Sequence, residues 1–351
     1  MLVGRPDVGD FAPTAETVKE NKMRGWIRGL GLTAVMSGIW MVLSAFSPPP
    51  EEIKLALQEG GTATWEVAAM KELGLDARNE IKLKVRGVAD SRAGQVALQS
   101  GSVDVMLSDF VWTSLQRDQG ADFTIVPHSL TVGGLMALPD SKVKSVADLK
   151  GAKLAVAGGP VDKSYLIMQA YYNAKTGGDL TQDASVVFGA PPLVNELLLS
   201  GQADASLNFW HFSARAAVAG ATQLISVQDM QSDLGVSKTP PLLGWVFSEA
   251  FAAEEPEAIK RFLDASFQTK AALLTDDALW EKIRPAMNVD DDALFIALRD
   301  AYRAGIVTSY TDADIQAAME TYALLAKFGG TELTGGKPDL ADGTFWAGYR
   351  K

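Results

Sequence analysis

The chain contains no cysteine. Disulfides, thiolate metal sites, thiol nucleophiles and a lipidated-cysteine anchor are all excluded. Histidine is nearly as scarce: His128 and His211 are the only two, too few for a multi-histidine metal site. Positive charge is also short, with 32 Lys and Arg against 43 Asp and Glu and a net charge of −11. That balance argues against a nucleic-acid surface. What remains is 351 residues, 47% hydrophobic and 21% charged, with a mean hydropathy of +0.06. The length supports a sizeable core and about two domains, and the composition excludes disordered and collagen-like classes.

The charge is unevenly placed. Beyond position 48, 27 basic residues face 39 acidic ones, so the body carries −12. Near the front, Lys22, Arg24 and Arg28 precede eighteen uncharged residues, 29–46, which Pro48-Pro49-Pro50 ends. A basic start, an apolar run and the small residues Ser44, Ala45 and Ser47 describe a secretory signal peptide. Residues 1–48 are therefore read as an N-terminal extension and signal, with Met23 a candidate start. A single membrane anchor is the other reading, since eighteen apolar residues just reach spanning length. Gly29-Leu-Gly31-Leu-Thr-Ala34 imitates a dinucleotide fingerprint, but no strand precedes it. No cofactor is expected.

Segments 53–57, 81–88, 103–107 and 123–126 read as strands, separated by helices at 65–73, 92–99 (capped by Ser91) and 113–118. In 81–88, Ile, Leu and Val alternate with Lys82, Lys84 and Arg86, the pattern of a half-exposed strand. A second series places strands at 153–157, 185–188, 203–207 and 223–227, with helices at 163–175 and 193–199. A strand at 242–247 follows Pro240-Pro241, and beyond Pro256 apolar residues recur at helical spacing. This alternation predicts an α/β fold of parallel sheets with helices on both faces.

The sequence also echoes itself. Leu98-Gln-Ser-Gly101-Ser-Val-Asp104-Val-Met-Leu107 aligns with Leu198-Leu-Ser-Gly201-Gln-Ala-Asp204-Ala-Ser-Leu207 at an offset of one hundred residues, with five identities in ten positions. Gly120-Ala121 and Gly220-Ala221 continue it. Each copy reads as helix end, glycine cap, acidic turn and buried strand. Any αβ unit shares that grammar, but the common offset favours two lobes built alike.

These segments, with Ser145-Val-Ala-Asp148-Leu-Lys-Gly151-Ala-Lys153, resemble the solute-binding proteins of ABC importers, in the nitrate/sulfonate/taurine and NMT1/THI5-like group. The resemblance spans about residues 53–330. It implies a two-lobe type II periplasmic-binding-protein fold, each lobe a mainly parallel sheet flanked by helices, with the ligand cleft between lobes. The expected division is lobe 1 from 53–136 and 240–351, lobe 2 from 137–239, hinged near 135–138 and 239–243. The resemblance further implies a periplasmic monomer that captures a small-molecule ligand by hinge closure. It would deliver that ligand to a membrane permease with its ATPase. The ligand class stays open between a sulfonate- or nitrate-like anion and an N-heterocycle. The alternative is a pyrimidine-precursor enzyme of the same fold.

In open α/β sheets, ligands sit at the carboxyl ends of strands, against helix N-termini. That rule nominates Gly61, Thr62, Ala63, Trp65, Ser91, Asp109 and Trp112 in the first lobe. In the second it nominates Gly159, Asp162, Lys163, Asn208, Trp210 and His211, with Trp245 just after the return crossing. Backbone N–H groups at 61–63 and 159–163 would receive an electronegative group, or simply begin helices. The tryptophans would cover an apolar face or fill the core. Asp109 would accept from an amine or hydroxyl, or cap its helix; His211 would donate to an anion or cap its own; His128 is read as structural. An acid at position 109 is unusual for a bare-oxyanion receptor and suggests a planar or amphiphilic organic ligand carrying donors.

No Gly-x-Ser-x-Gly, Walker loop, His-Glu-x-x-His or calcium loop is present. Ser141-Lys-Val-Lys144 matches Ser-x-x-Lys but lies in the polar turn between lobes, and Asp290-Asp291-Asp292 reads as a helix cap. No catalytic residue and no metal site are assigned.

Overall fold

The computed structural model describes residues 50–351. The expected signal peptide and the candidate start at Met23 lie outside the described residues. Ten strands follow in chain order: β1 (Glu51–Gln58), β2 (Ile81–Val88), β3 (Val105–Asp109), β4 (Phe123–Ser129), β5 (Gly134–Ala137), β6 (Lys153–Ala157), β7 (Ser185–Gly189), β8 (Ala205–Asn208), β9 (Thr222–Ser226) and β10 (Leu243–Ser248). They form two five-stranded sheets with one topology, β2-β1-β3-β10-β4 and β7-β6-β8-β5-β9.

Within each sheet the first three strands are parallel. The fourth is antiparallel to both of its neighbours. The sheets are therefore mixed, with a parallel core. Parallel neighbours need a helical crossover, whereas a strand arriving from the other lobe has no such constraint. β10 and β5 are those arriving strands. Each also carries a register shift in its outer pairing, at Leu243/Gly244 and Leu135/Met136.

The chain passes between sheets twice, through 130–133 and through 227–242. The expected first-lobe boundary at 136 is too late, because Gly134, Leu135 and Met136 pair with Asn208, Leu207 and Ser206 of the second sheet. β5 has four residues, all buried, so no alternation marked it as a strand. Gly133 must be glycine for close approach: a Cβ there would lie 1.6 Å from the Asn208 carbonyl oxygen.

The hundred-residue echo has a physical cause. Gly101 and Gly201 turn the chain at φ of 67° and 70°. Asp104 then accepts a hydrogen bond from the Lys54 N–H at 2.8 Å, and Asp204 accepts one from the Lys153 N–H at 2.7 Å. In return Lys54 and Lys153 accept from the Asp104 and Asp204 N–H groups. Each aspartate thus closes a reciprocal pair that fixes the register of the neighbouring strand. Gly120 and Gly220 repeat the device at φ of 91° and 98°.

The Ser145 turn is a capping box. Asp148 accepts from the Lys144 and Ser145 N–H groups and from the Ser145 hydroxyl, which sets the entry to β6. Ile53, Leu55, Leu154 and Val156 are fully buried at the sheet centres. Burying each such side chain stabilises the fold by about 1.5–3 kcal/mol. The helix Asp312–Thr334, kinked at Gly330, braces the second crossing: Thr321 accepts from the Gln231 amide, and Lys238 pairs with Asp314. The C-terminal tail then pairs with Ile125 through Thr344 and Trp346, covering the free edge of β4. Asp291 caps the helix Asp292–Ala304 by accepting from the Leu294 N–H at 2.7 Å.

Candidate functional site

A cavity of about 310 Å³ lies where the carboxyl ends of β1 and β3 face the second lobe. The first lobe contributes Gln58 with Gly61, Thr62 and Ala63, then Asp90 and Ser91, then Ser108, Asp109 and Phe110. The second contributes Asp162, Lys163, Ser164, Phe209, Trp210 and His211. Both crossings add walls, Thr131–Gly133 from one and Leu242 from the other, and Leu243 at the start of β10 continues the second. The β10 register shift falls at Leu243, bending the strand beside the cavity.

Helix starts build much of this surface. Thr62 precedes the helix Ala63–Glu72 without a side-chain cap. Asp90 caps Ser91–Gln99 by accepting from the Ala93 N–H at 2.8 Å, so the cap is one residue earlier than the expected Ser91. Asp109 caps Phe110–Asp118, its Oδ1 accepting from the Trp112 N–H at 2.8 Å. Asp162 caps Lys163–Thr176, accepting from the Tyr165 N–H at 3.2 Å.

Across the cavity, Lys163 Nζ donates to Asp109 Oδ2 at 2.7 Å. Asp109 therefore caps its helix with one oxygen, one of its two expected roles, and holds the chain's own Lys163 with the other. Burial works against the Lys163 charge, but the Asp109 carboxylate outweighs it and holds the ammonium above its ordinary pKa. Burial lifts the Asp162 carboxyl above the usual range, only partly offset by Lys163. His211 is neutral: burial, helped by the Arg215 charge, lowers it to about 4. Its Nδ1 is buried without a hydrogen-bond partner among the described residues.

The cavity brings together Gly61, Thr62, Ala63, Ser91, Asp109, Asp162, Lys163, Trp210 and His211. Five other nominated residues stand off its wall. Trp65 packs edge-on behind Trp210, ring centroids 5.9 Å apart, within an aromatic cluster that includes Trp280 and Tyr302. Trp112 stacks on Phe123 at 5.6 Å. Trp245 is buried against Phe262 and His128, its indole N–H donating to Ser266 at 3.0 Å. Asn208 is turned inward, donating to the Pro191 carbonyl and the Asn195 side chain at 2.9 Å and fixing the end of β8. Gly159 lies one turn outside the wall. The crossing residues Thr131–Gly133 were not nominated; the Gly133-Gly134 pair was the signal for them.

Behind the first wall, Glu66 is fully buried and held by several groups. Ser266 donates to it at 2.5 Å and Tyr302 at 3.2 Å, and Lys270 Nζ lies 3.5 Å away. Burial lowers Lys270 below its ordinary pKa despite that carboxylate. His128 sits in the same network, 3.4 Å from Glu66, and burial keeps it neutral. The network anchors the helix whose uncapped start faces the cavity.

The sequence profile of the family described as NMT1/THI5 like matches residues 67–276, more than half of the chain. The chain belongs to the NMT1/THI5-like family. No curated protein matches the sequence. Among solved structures it is similar to the alkanesulfonate-binding protein SsuA of Xanthomonas axonopodis pv. citri bound to MOPS, with TM-score 0.66 and 18% identity over 86% of this chain and 99% of that one. It is equally similar to the periplasmic aliphatic sulphonate binding protein SsuA of Escherichia coli, with TM-score 0.66 and 19% identity over 84% and 96%. The periplasmic nitrate-binding protein NrtA of Synechocystis follows at TM-score 0.56 and 14% identity over 72% and 70%. These likenesses fix the architecture of this NMT1/THI5-like chain as the type II periplasmic-binding fold.

Proposed function

We propose that this NMT1/THI5-like protein is the exported solute-binding component of an ABC importer. It captures a small organic ligand between its lobes and presents it to a membrane permease. The observation that carries this reading is the cavity at the strand ends, walled by both lobes and by both crossings. A site so divided is created by closure and lost by opening, which is what a carrier needs and is the hinge motion such folds perform. The apolar walls, Leu57, Leu107, Phe110, Val132, Trp210 and Leu242, suit an organic body rather than a hydrated ion. The signal-like segment before residue 48 and the periplasmic solved neighbours support a periplasmic location.

Native mass spectrometry of the protein purified from its source tests this. A bound small molecule at one per chain is expected, released on unfolding and chemically unchanged after prolonged incubation. A cavity that carries nothing, together with no ligand-induced compaction, would contradict capture. Conversion of the ligand during incubation would instead support the pyrimidine-precursor enzyme.

A further inference from the structure

Five helices begin at the cavity, and three of these starts are already filled. Asp90, Asp109 and Asp162 each place a carboxylate oxygen on the first free N–H groups of their helices. Those N–H groups are where a bare oxyanion would dock. The chain's own acids hold that place instead. The starts at Thr62 and Phe209 have no side-chain cap. They leave N–H groups for an acceptor elsewhere on the ligand.

The charge of the wall points the same way. Among the described residues, three aspartates line the cavity against one lysine and no arginine. The lysine is committed to Asp109 at 2.7 Å, so it is not a free receptor for an anion. His211 adds no positive charge, since its imidazole is neutral. Its buried Nδ1, without a partner among the described residues, is one more polar atom for a ligand to satisfy. Asp162 forms no ion pair among the described residues, since the neighbouring Lys163 reaches Asp109 instead.

We propose that the ligand of this cleft carries a protonated amine on an apolar body, held by Asp109 and Asp162, and is not a bare oxyanion. This rests on the solute-binding reading of the same cavity. It separates this chain from what the solved neighbours are named for, sulfonate and nitrate. An amine entering beside Lys163 shares Asp109 and finds Asp162 unpaired, so no buried charge is stranded. An oxyanion would enter a site whose formal charge is already negative.

The test uses the full chain and three probes that share one hydrocarbon body: hexylamine, hexane-1-sulfonate and hexan-1-ol. Each is titrated by calorimetry at pH 7 in low salt. The amine should bind at least tenfold more tightly than the sulfonate, with the alcohol between them. Asp109→Asn and Asp162→Asn keep the helix caps, because asparagine caps as well as aspartate. Each should reduce the amine's advantage by about tenfold, and two variants guard against one failing to fold. Sulfonate binding as tight as or tighter than the amine would overturn the proposal and leave the solute-binding reading standing. Saturable heat from none of the three probes at millimolar concentration would count against both.

Discussion

Lys163 Nζ meets Asp109 Oδ2 at 2.7 Å across the cleft, the lysine opening a second-lobe helix and the aspartate ending a first-lobe strand. The pair is one tether between lobes that are also joined by two crossings, by the helix Asp312–Thr334 and by Trp210 packed against Trp65 and Tyr302. It is partly sheltered, with 30% and 14% of the two side chains exposed, so solvent weakens it without abolishing it. Lys163→Met should loosen the ligand-free protein. Small-angle scattering should show a larger radius of gyration for the variant, and added salt should move the wild type toward it. Identical curves for both proteins at all salt concentrations would show that the pair tethers nothing.

Gly133→Ala tests the crossing. The added Cβ would lie 1.6 Å from the Asn208 carbonyl oxygen, and backbone on both sides leaves little room to yield. A loss of about 1–3 kcal/mol is expected, read as a fall in the denaturant midpoint. An unchanged midpoint would mean that the crossing is not held against β8.

The echo makes a quantitative prediction. Asp104→Ala and Asp204→Ala each strip the acceptor from a strand-start N–H, at Lys54 and Lys153 respectively. Each should destabilise by about 1–2 kcal/mol, to similar extents. The sites share no partners, so the double variant should show the sum. A large imbalance between the single variants would break the structural equivalence of the two copies.

His211 gives a pH signature. Its folded-state pKa of about 4 lies below the ordinary 6.5, so on acidification the unfolded chain takes the proton first. Its contribution to stability is complete above about pH 6.5 and is lost as pH falls toward 4. The loss is on the order of 2 kcal/mol after allowance for partial exposure. Thermal unfolding of wild type and His211→Asn across that range isolates it from His128, which shifts the same way. The stability gap between the two proteins should change with pH between 6.5 and 4; a constant gap would contradict the assignment.

Much of this architecture was legible in the residues. Strands β2 and β6 stand where alternation and apolar content placed them, and Gly101, Asp104, Gly201 and Asp204 marked the repeat. Local signals suffice where a strand has its own periodicity and its own turn. They fail at β5, four buried residues whose role depends on partners from elsewhere in the chain. Antiparallel insertion of β10 was hidden for the same reason. At the site, helix starts were readable because Asp109 and Asp162 precede their helices directly. The tryptophans were not: a ring at the start of a helix turns toward cavity or core according to what stands behind it. Behind Trp65 stand Trp280 and Tyr302, and beside Trp245 stand Phe262 and His128.

The central claim is that a small solute binds between Asp109 with the first-lobe helix starts and Trp210 with the second. Titration of the co-purified ligand into wild type, Asp109→Ala, Trp210→Ala and Lys144→Ala tests it most directly. Lys144 lies in the turn between β5 and β6, where its Nζ donates to the Pro139 carbonyl at 2.5 Å, away from the cavity wall. Asp109→Ala and Trp210→Ala should each weaken binding about tenfold or more, roughly 1.4 kcal/mol per decade, while Lys144→Ala binds as wild type. Wild-type affinity in both cleft variants would place the ligand elsewhere and contradict the account.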